Sequence, residues 1–124
     1  MARIDTLFIR IALIYLIAGM AFGIWMGIGQ SFEYTPVHAH ANLAGFALMT
    51  LFGLIHRAWP ALRQSPLSTW HFWAHNVSLV IFVIGIYIAH SPAAQDTVAI
   101  IGSFLILLST LLFAVIFYRG ADAA

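Results

Sequence analysis

The sequence contains no cysteine and no lysine, and its formal charges come from only five arginines and four acidic residues among 124. Without cysteine there can be no disulfide bond, thiolate metal site or cysteine nucleophile. Five arginines and a net charge of +1 form no basic patch of the kind that binds nucleic acid. Charged residues make up 7% of the chain, whereas soluble domains have about 25%. The composition therefore excludes an ordinary soluble domain.

Apolar residues are abundant instead, and the mean hydropathy is +0.99. Crossing a hydrocarbon core about 30 Å thick takes roughly 20 apolar residues. Four stretches meet this length, at about 7–28, 38–58, 70–90 and 98–118. The apolar run of the first exceeds the roughly 7–15 residues of a signal-peptide core, so we interpret it as a retained span. Because the breaks are short, we expect an all-α fold with one membrane domain over residues 1–124, an up-down four-helix bundle.

The polar breaks carry signals for helix starts and for orientation. Pro36 suits the first turn of the second helix, and Asp96 with Thr97 suits the cap of the fourth. If the spans alternate, all five arginines fall on one side, whereas Glu33 and Asp96 fall on the other. Positively charged loops favour the cytoplasm, so both termini are predicted there. Aromatic residues near the span ends fit an interfacial belt; they are Trp25, Tyr34, Trp59, Trp70, Trp73 and Tyr118.

Six histidines stand out in a chain with few other polar groups. This topology predicts an outer layer of His38, His40 and His90, and a cytoplasmic layer of His56, His71 and His75. With a rise of about 1.5 Å per residue, His40 lies about 25 Å from the cytoplasmic end of its helix and His75 about 8 Å from its own. We therefore expect His40 and His75 not to form one ligand pair. Ionisable residues inside membranes indicate function by default, and imidazole ligates haem iron and copper.

The histidine spacings predict two kinds of site. His38 and His40 are two residues apart, so they point to nearly opposite faces of one helix and would serve two different partners. His71 and His75 are four apart and share a face, as two ligands of one small metal site would.

Structural roles for the same residues stay open. His56 and His90 lie at span ends, where a histidine is expected to be solvated, and His71 lies close to the interface. His75 could hydrogen-bond a neighbouring helix. Small residues beside the histidine pair either leave room for a flat cofactor or permit close helix packing; they are Ala39, Ala41, Ala44, Gly45, Ala47 and Gly53.

The run PVHAHANLAGFALMTLFGLIHRAWP, residues 36–60, resembles the tenth transmembrane helix of haem–copper oxidase subunit I, and the cbb-type class is closest. The run WHFW at residues 70–73 resembles the eleventh helix, and the likeness extends from residue 36 to about 90. It implies that His38 binds a high-spin haem and His40 a low-spin haem. Both would lie near the periplasmic face of a bacterial inner membrane.

The chain also departs from that family. It has four spans where subunit I has many more, and it has no counterpart of the helices that supply the copper histidines or the second low-spin ligand. Complete oxygen reduction by this chain alone is therefore not expected, and whether it is an enzyme stays open. The missing sixth haem ligand has four candidates: Met20, Met26, His90 and His40 of a second copy.

The resulting prediction is a b-type haem protein in the lipid bilayer that transfers electrons or binds a diatomic gas. One or two haems b would be held per protomer or shared between protomers, in a homo-oligomer or a larger respiratory complex. Two alternatives remain. One is a non-haem accessory or assembly subunit of a respiratory oxidase. The other is a copper-handling protein that uses His71 and His75 with support from Met or His56.

Overall fold

A computed structural model describes residues 3–122, and this part of the chain is helical, with short connections and no strand. The helices are α1 (Ile4–Gly29), α2 (Thr35–His40), a π-helical segment (Ala41–Ala47), α3 (Leu48–Ala58), α4 (Pro66–His90) and α5 (Thr97–Gly120). Two short 3₁₀ turns, Phe32–Tyr34 and Pro60–Gln64, complete them. Four stretches are long and apolar enough to cross a membrane, namely Ile4–Gly29, Phe32–Ala58, Pro66–His90 and Thr97–Gly120. The prediction of four apolar spans is confirmed.

The helices begin earlier than hydropathy alone indicates, because polar starting residues belong to them. α4 begins at Pro66, where the Ser65 hydroxyl accepts a hydrogen bond from the Leu67 backbone N–H at 3.2 Å. Serine before the first turn and proline within it are favourable helix starts. Pro36 likewise lies in the first turn of α2, as predicted. Asp96 precedes α5 but its side chain makes no capping hydrogen bond, so that part of the prediction is wrong.

The second span is helical throughout but changes its winding directly after His40. Residues Ala41–Ala47 form a π-helical segment between α2 and α3. Such segments are rare and occur frequently at functional sites. Within it the Asn42 side-chain amide donates to the His38 carbonyl oxygen at 3.0 Å. Side chains that bond the local backbone compete with regular helix hydrogen bonds, which fits the altered winding at this position.

Close helix contacts depend on glycine. A Cβ atom added to Gly45 would lie 2.6 Å from the Tyr15 ring, and one added to Gly53 would lie 2.7 Å from the Ile9 side chain. α1 thus fills the space beside both glycines, so they permit helix packing and do not border a cofactor cavity. Gly102 of α5 similarly lies against the backbone of Phe82 in α4. Lipid is as apolar as these side chains, so close packing is a main source of helix association.

Two apolar clusters form the core. One lies at the Arg57 end of the second span and consists of Phe8, Ala12, Met49, Phe52, Phe72, Leu79 and Phe113. The other lies at the Pro36 end and consists of Met26, Tyr34, Val37 and Ile86. Tyr34 is buried there and stacks on Tyr87, with ring centroids 4.6 Å apart. Tyr34 is therefore not part of an interfacial belt, whereas the four tryptophans and Tyr118 are exposed as expected.

Candidate functional site

His38 is anchored to the first helix through one ring nitrogen. Its Nδ1 lies 2.8 Å from the carbonyl oxygen of Gly19 in α1. A carbonyl oxygen only accepts hydrogen bonds, so Nδ1 carries the proton and Nε2 keeps its lone pair. Nε2 makes no hydrogen bond within residues 3–122. The ring rests against Gly23, where an added Cβ would lie 2.8 Å from His38 Cε1.

His40 is also hydrogen-bonded through Nδ1, but its ring lies on a different side of the helix. Its Nδ1 donates to the Pro36 carbonyl oxygen at 2.7 Å. The ring meets Phe82 of α4 edge-on, with centroids 5.2 Å apart. His40 Nε2, like that of His38, has no hydrogen-bond partner in the described chain. One histidine of the pair thus contacts α1, and the other contacts α4.

The candidate sixth ligands lie in different surroundings. His90 is exposed and donates from Nδ1 to the Ile86 carbonyl oxygen at 2.9 Å. Met26 is enclosed in the cluster that contains Ile86 and Val37, at the same end of the protein as His38. Met20 is 56% exposed on the surface of α1. His90 and Met26 therefore lie at the end that carries the histidine pair, whereas Met20 faces outward.

An open apolar cleft of about 350 Å³ lies between α1 and α4, beside the histidine pair. Val37 and Ala41, which flank the pair in the sequence, line it together with Phe22 and Tyr87. Neither His38 nor His40 lines it. The volume is at the lower end of small-molecule pockets, which span about 300–1,000 Å³. A macrocycle bound to either histidine would thus also need a surface outside this cleft.

His56 is completely buried, which corrects the expectation of a solvated histidine at a span end. Its Nδ1 donates to the Phe52 carbonyl oxygen at 2.7 Å, and its Nε2 lies 3.0 Å from the Ser68 hydroxyl oxygen. The ring stacks on Phe8 with centroids 5.6 Å apart. The histidine is covered because the 3₁₀ turn Pro60–Gln64 brings the start of α4 back over it. Both ring nitrogens thus lie within hydrogen-bonding distance of a protein atom, and the Ser68 hydroxyl also donates to the Leu62 carbonyl oxygen at 2.8 Å.

His71 is also completely buried within the protein. Its ring is surrounded by Phe52, Phe113 and Phe8 at centroid distances of 4.6, 5.1 and 5.6 Å. Neither ring nitrogen has a hydrogen-bond partner in the described residues. A buried polar group without a partner costs about 1–3 kcal/mol. An apolar side chain would therefore suit this aromatic environment better than histidine does.

His75 reaches the second span. Its Nε2 donates to the Ala44 carbonyl oxygen at 3.0 Å, whereas its Nδ1 is buried without a partner. The expected alternative of a hydrogen bond to a neighbouring helix is therefore observed. Ala44 is only four residues beyond His40, so the two predicted histidine layers are closer than expected. The early start of α4 at Pro66 explains the difference, since it places His75 deeper.

His71 and His75, the two deep histidines, lie side by side and share an aromatic lining. The ring centroids of His71 and His75 are 6.0 Å apart, and both rings meet Phe52 edge-on. Within residues 3–122, no three or more histidine or acidic side chains are arranged to hold a metal ion. The structure thus brings His71 and His75 together, as predicted, but it places no third histidine or acidic side chain of the described residues beside them as a metal ligand.

Asp5, which the sequence motifs did not indicate, is completely buried in the first turn of α1. Three arginines converge on its Oδ2: Arg3 at 2.7 Å, Arg57 at 3.1 Å and Arg63 at 3.3 Å. The Thr6 backbone N–H donates to the other carboxylate oxygen at 2.9 Å. One signal for this cluster was present in the sequence. Asp5 is an acidic residue at the same predicted side of the membrane as the five arginines.

No family model, curated protein or solved structure matches the chain. The likeness to haem–copper oxidase subunit I therefore rests on the motifs of residues 36–90. The geometry of the histidines within those motifs is the physical basis for assigning a function.

Proposed function

We propose that the chain is an integral membrane b-type haem protein whose axial ligands are His38 and His40. The observation that carries this proposal is shared by the two residues: a backbone carbonyl holds Nδ1–H, and Nε2 keeps a free lone pair. Histidines that bind metals typically donate their other N–H to a carbonyl or carboxylate, which fixes the tautomer and the ring orientation. Both rings are therefore preorganised to ligate through Nε2.

The two histidines ligate on different sides of the second span. His38 takes the position of the high-spin ligand in the resemblance, and His40 that of the low-spin ligand. The apolar cleft is lined by neither, so a haem on His40 requires an additional surface. A second copy of the chain, related by two-fold symmetry, supplies both this surface and His40 as the sixth ligand. Leu43, one turn beyond His40 and 62% exposed, supports an apolar contact there. Within one protomer, His90 and Met26 are the competing sixth ligands.

Haem would supply one-electron redox chemistry or the binding of a diatomic gas. The chain supplies imidazole ligands, their orientation and apolar surroundings. Complete oxygen reduction is not part of the proposal, since the resemblance covers no helix that carries copper ligands. Association with a larger respiratory complex is compatible with the same ligands.

We place the four spans in an up-down bundle with both termini in the cytoplasm of a bacterial cell and the histidine pair near the periplasmic face. Contacts between α1 and the second span support an antiparallel arrangement of these two spans, because Asp5 meets Arg57 whereas Gly19 meets Asn42. Residues of increasing number in α1 thus meet residues of decreasing number in its neighbour. The convergence of three arginines on Asp5 supports a single cytoplasmic end.

The optical spectrum of the purified protein, supplied with haem b in detergent, tests the proposal. We expect a Soret band in the wild type and a strong reduction of this band in His40→Ala, in which only the haem on His38 remains. His71→Leu is the matched control, because it removes a histidine from the other end of the protein. A folded, monodisperse wild type that takes up no haem would contradict the proposal. If it also binds no copper, the result would favour a non-haem accessory or assembly subunit of a respiratory oxidase.

A second candidate function, copper handling, is favoured by the unpartnered nitrogens of His71 and His75. Imidazole is a suitable ligand for copper, and two rings with centroids 6.0 Å apart can face one ion. Additional ligands, such as His56 or a methionine, would have to move closer. Competition with a coloured Cu(I) chelator tests this candidate: stoichiometric binding that is lost in His75→Ala, without a loss of haem, would support it. Unchanged chelator colour would exclude it.

A further inference from the structure

A cavity of about 600 Å³ opens where α1 and α4 begin. Its polar lining comes from Arg3, Arg63, Gln64 and Thr69. Arg63 and Gln64 belong to the 3₁₀ turn Pro60–Gln64, whereas Thr69 lies in the first turns of α4. The polar side chains are therefore gathered at the ends of the two helices, where a membrane protein meets the headgroup region.

The opposite part of the lining is apolar and comes from Ile4, Leu7, Phe72 and Trp73. Leu7 and Trp73 lie further along their helices than the polar residues do. Trp73 is 61% exposed, so the cavity opens sideways toward the surroundings of the helices. The lining thus changes from polar at the helix ends to apolar along the helices, which matches an amphiphile and not a small soluble ion.

The charge at the polar end is unbalanced. Arg3, Arg57 and Arg63 share one carboxylate, that of Asp5, which leaves an excess of two positive charges. Each guanidinium has five N–H donors, and the bonds to Asp5 and Thr6 use only a minority of them. Two of the remaining acidic residues, Glu33 and Asp96, lie in the connections at the opposite helix ends, and Asp122 makes no ion pair within residues 3–122. Arg3 and Arg63 therefore bring free donors to the lining of the cavity, beside a positive charge that Asp5 does not balance.

We infer that this cavity is a binding site for one anionic phospholipid. The headgroup phosphate contacts Arg3 and Arg63, and Gln64 and Thr69 offer further hydrogen bonds. The first part of an acyl chain lies along Leu7 and Trp73. Basic pockets between helices on the cytoplasmic side are a recurring form of lipid headgroup recognition. The inference is independent of haem binding, because the cavity and the histidine pair lie at opposite ends of α1.

Native mass spectrometry of the purified protein in a neutral detergent tests this site with two probes, phosphatidylglycerol and phosphatidylcholine of the same acyl chains. We expect one phosphatidylglycerol to bind with a clear preference over phosphatidylcholine. Arg63→Gln should reduce the preference about fivefold, which corresponds to about 1 kcal/mol for one arginine near an anionic headgroup. Arg119→Gln is the matched control, because it loses the same charge outside the cavity.

A second variant separates cavity binding from general charge. Thr69→Phe leaves every charge in place but puts a bulky ring into the cavity, so we expect it to weaken the binding of the lipid. Inorganic phosphate is the soluble probe, and at millimolar concentration it should not displace the lipid. Equal binding of the two lipids by the wild type, or equal losses in Arg63→Gln and Arg119→Gln, would overturn the inference. Displacement by inorganic phosphate alone would also overturn it, in favour of a soluble anion.

Discussion

His38 and Gly19 join the first two spans through a hydrogen bond of 2.8 Å between the imidazole Nδ1 and the backbone carbonyl oxygen. This bond determines which nitrogen of His38 is free. It forms because glycines at positions 19 and 23 let the second span approach α1 closely: an added Cβ at Gly19 would lie 2.6 Å from Asn42 Oδ1, and one at Gly23 would lie 2.8 Å from His38 Cε1. The ligand geometry of His38 thus depends on α1 as much as on its own helix.

Gly23→Ala should displace the His38 ring, since the new methyl group would overlap with it. We expect this overpacking to lower the free energy of unfolding by about 1–3 kcal/mol. In the haem-loaded protein, we also expect a shifted Soret band or less haem on His38. Thermal unfolding followed by circular dichroism, together with the optical spectrum, measures the two effects.

Gly27→Ala is the control for that prediction. No heavy atom lies within 4 Å of a Cβ added at Gly27, so the substitution meets open space. Alanine is favoured over glycine inside helices by about 1 kcal/mol, so stability should be equal or higher. Equal losses of stability in both variants would show that the contact with His38 is not the cause.

His71 and His56 should respond in opposite directions to replacement by leucine. His71→Leu removes two buried nitrogens that lack partners, so we expect a gain of roughly 1 kcal/mol or more in the free energy of unfolding. His56→Leu removes the hydrogen bonds to Phe52 and Ser68, each worth about 0.5–1.5 kcal/mol, so we expect a loss of about 1–3 kcal/mol. Reversible unfolding in detergent or bicelles measures both.

A gain of stability in His71→Leu would confirm that the two ring nitrogens lack partners. A loss of stability in His71→Leu that equals the loss in His56→Leu would show that the His71 nitrogens have partners in solution. The same variant then serves the copper experiment, where chelator competition compares it with the wild type.

The four spans could be predicted because they follow from apolar length. The surroundings of His71 and His75 were not predicted, for a local reason. Hydropathy put the start of the third span near residue 70, whereas Ser65 and Pro66 begin α4 a turn earlier. The additional turn buries His71 and brings His75 to Ala44. The start of α4 is thus indicated by its capping residues, Ser65 and Pro66, and not by hydropathy.

Two other features could not be predicted in detail from the sequence. The π-helical segment Ala41–Ala47 arises in the run ANLAGFA, which is equally compatible with a regular α-helix. The convergence on Asp5 depends on Arg57 and Arg63, which are more than 50 positions away in the sequence, as well as on the neighbouring Arg3. Alternation of the spans places these groups at one end, but it does not determine which of them meet.

Gly102→Leu should separate α4 from α5. A Cβ at Gly102 would lie 2.5 Å from the Phe82 Cα, and backbone atoms cannot move aside as the end of a side chain can. We expect a lower thermal stability, by about 1–3 kcal/mol or more for an overpacked contact, and less correctly folded protein on gel filtration. Leu107→Ala is a control on the exposed face of α5. Comparable losses in the two variants would contradict the importance of this contact.

Carbon monoxide distinguishes the roles of His38 and His40. A haem held only by His38 is five-coordinate and has a free position, so the dithionite-reduced protein should bind CO and shift its Soret band. A haem held by His40 and a second axial ligand is six-coordinate and should not respond. We therefore expect His38→Ala to abolish the CO shift while the His40-dependent band remains, and His40→Ala to leave the shift in place. A reduced, haem-loaded wild type whose spectrum does not change with CO would remove the high-spin assignment of His38 and leave His40 as the sole haem ligand of the pair.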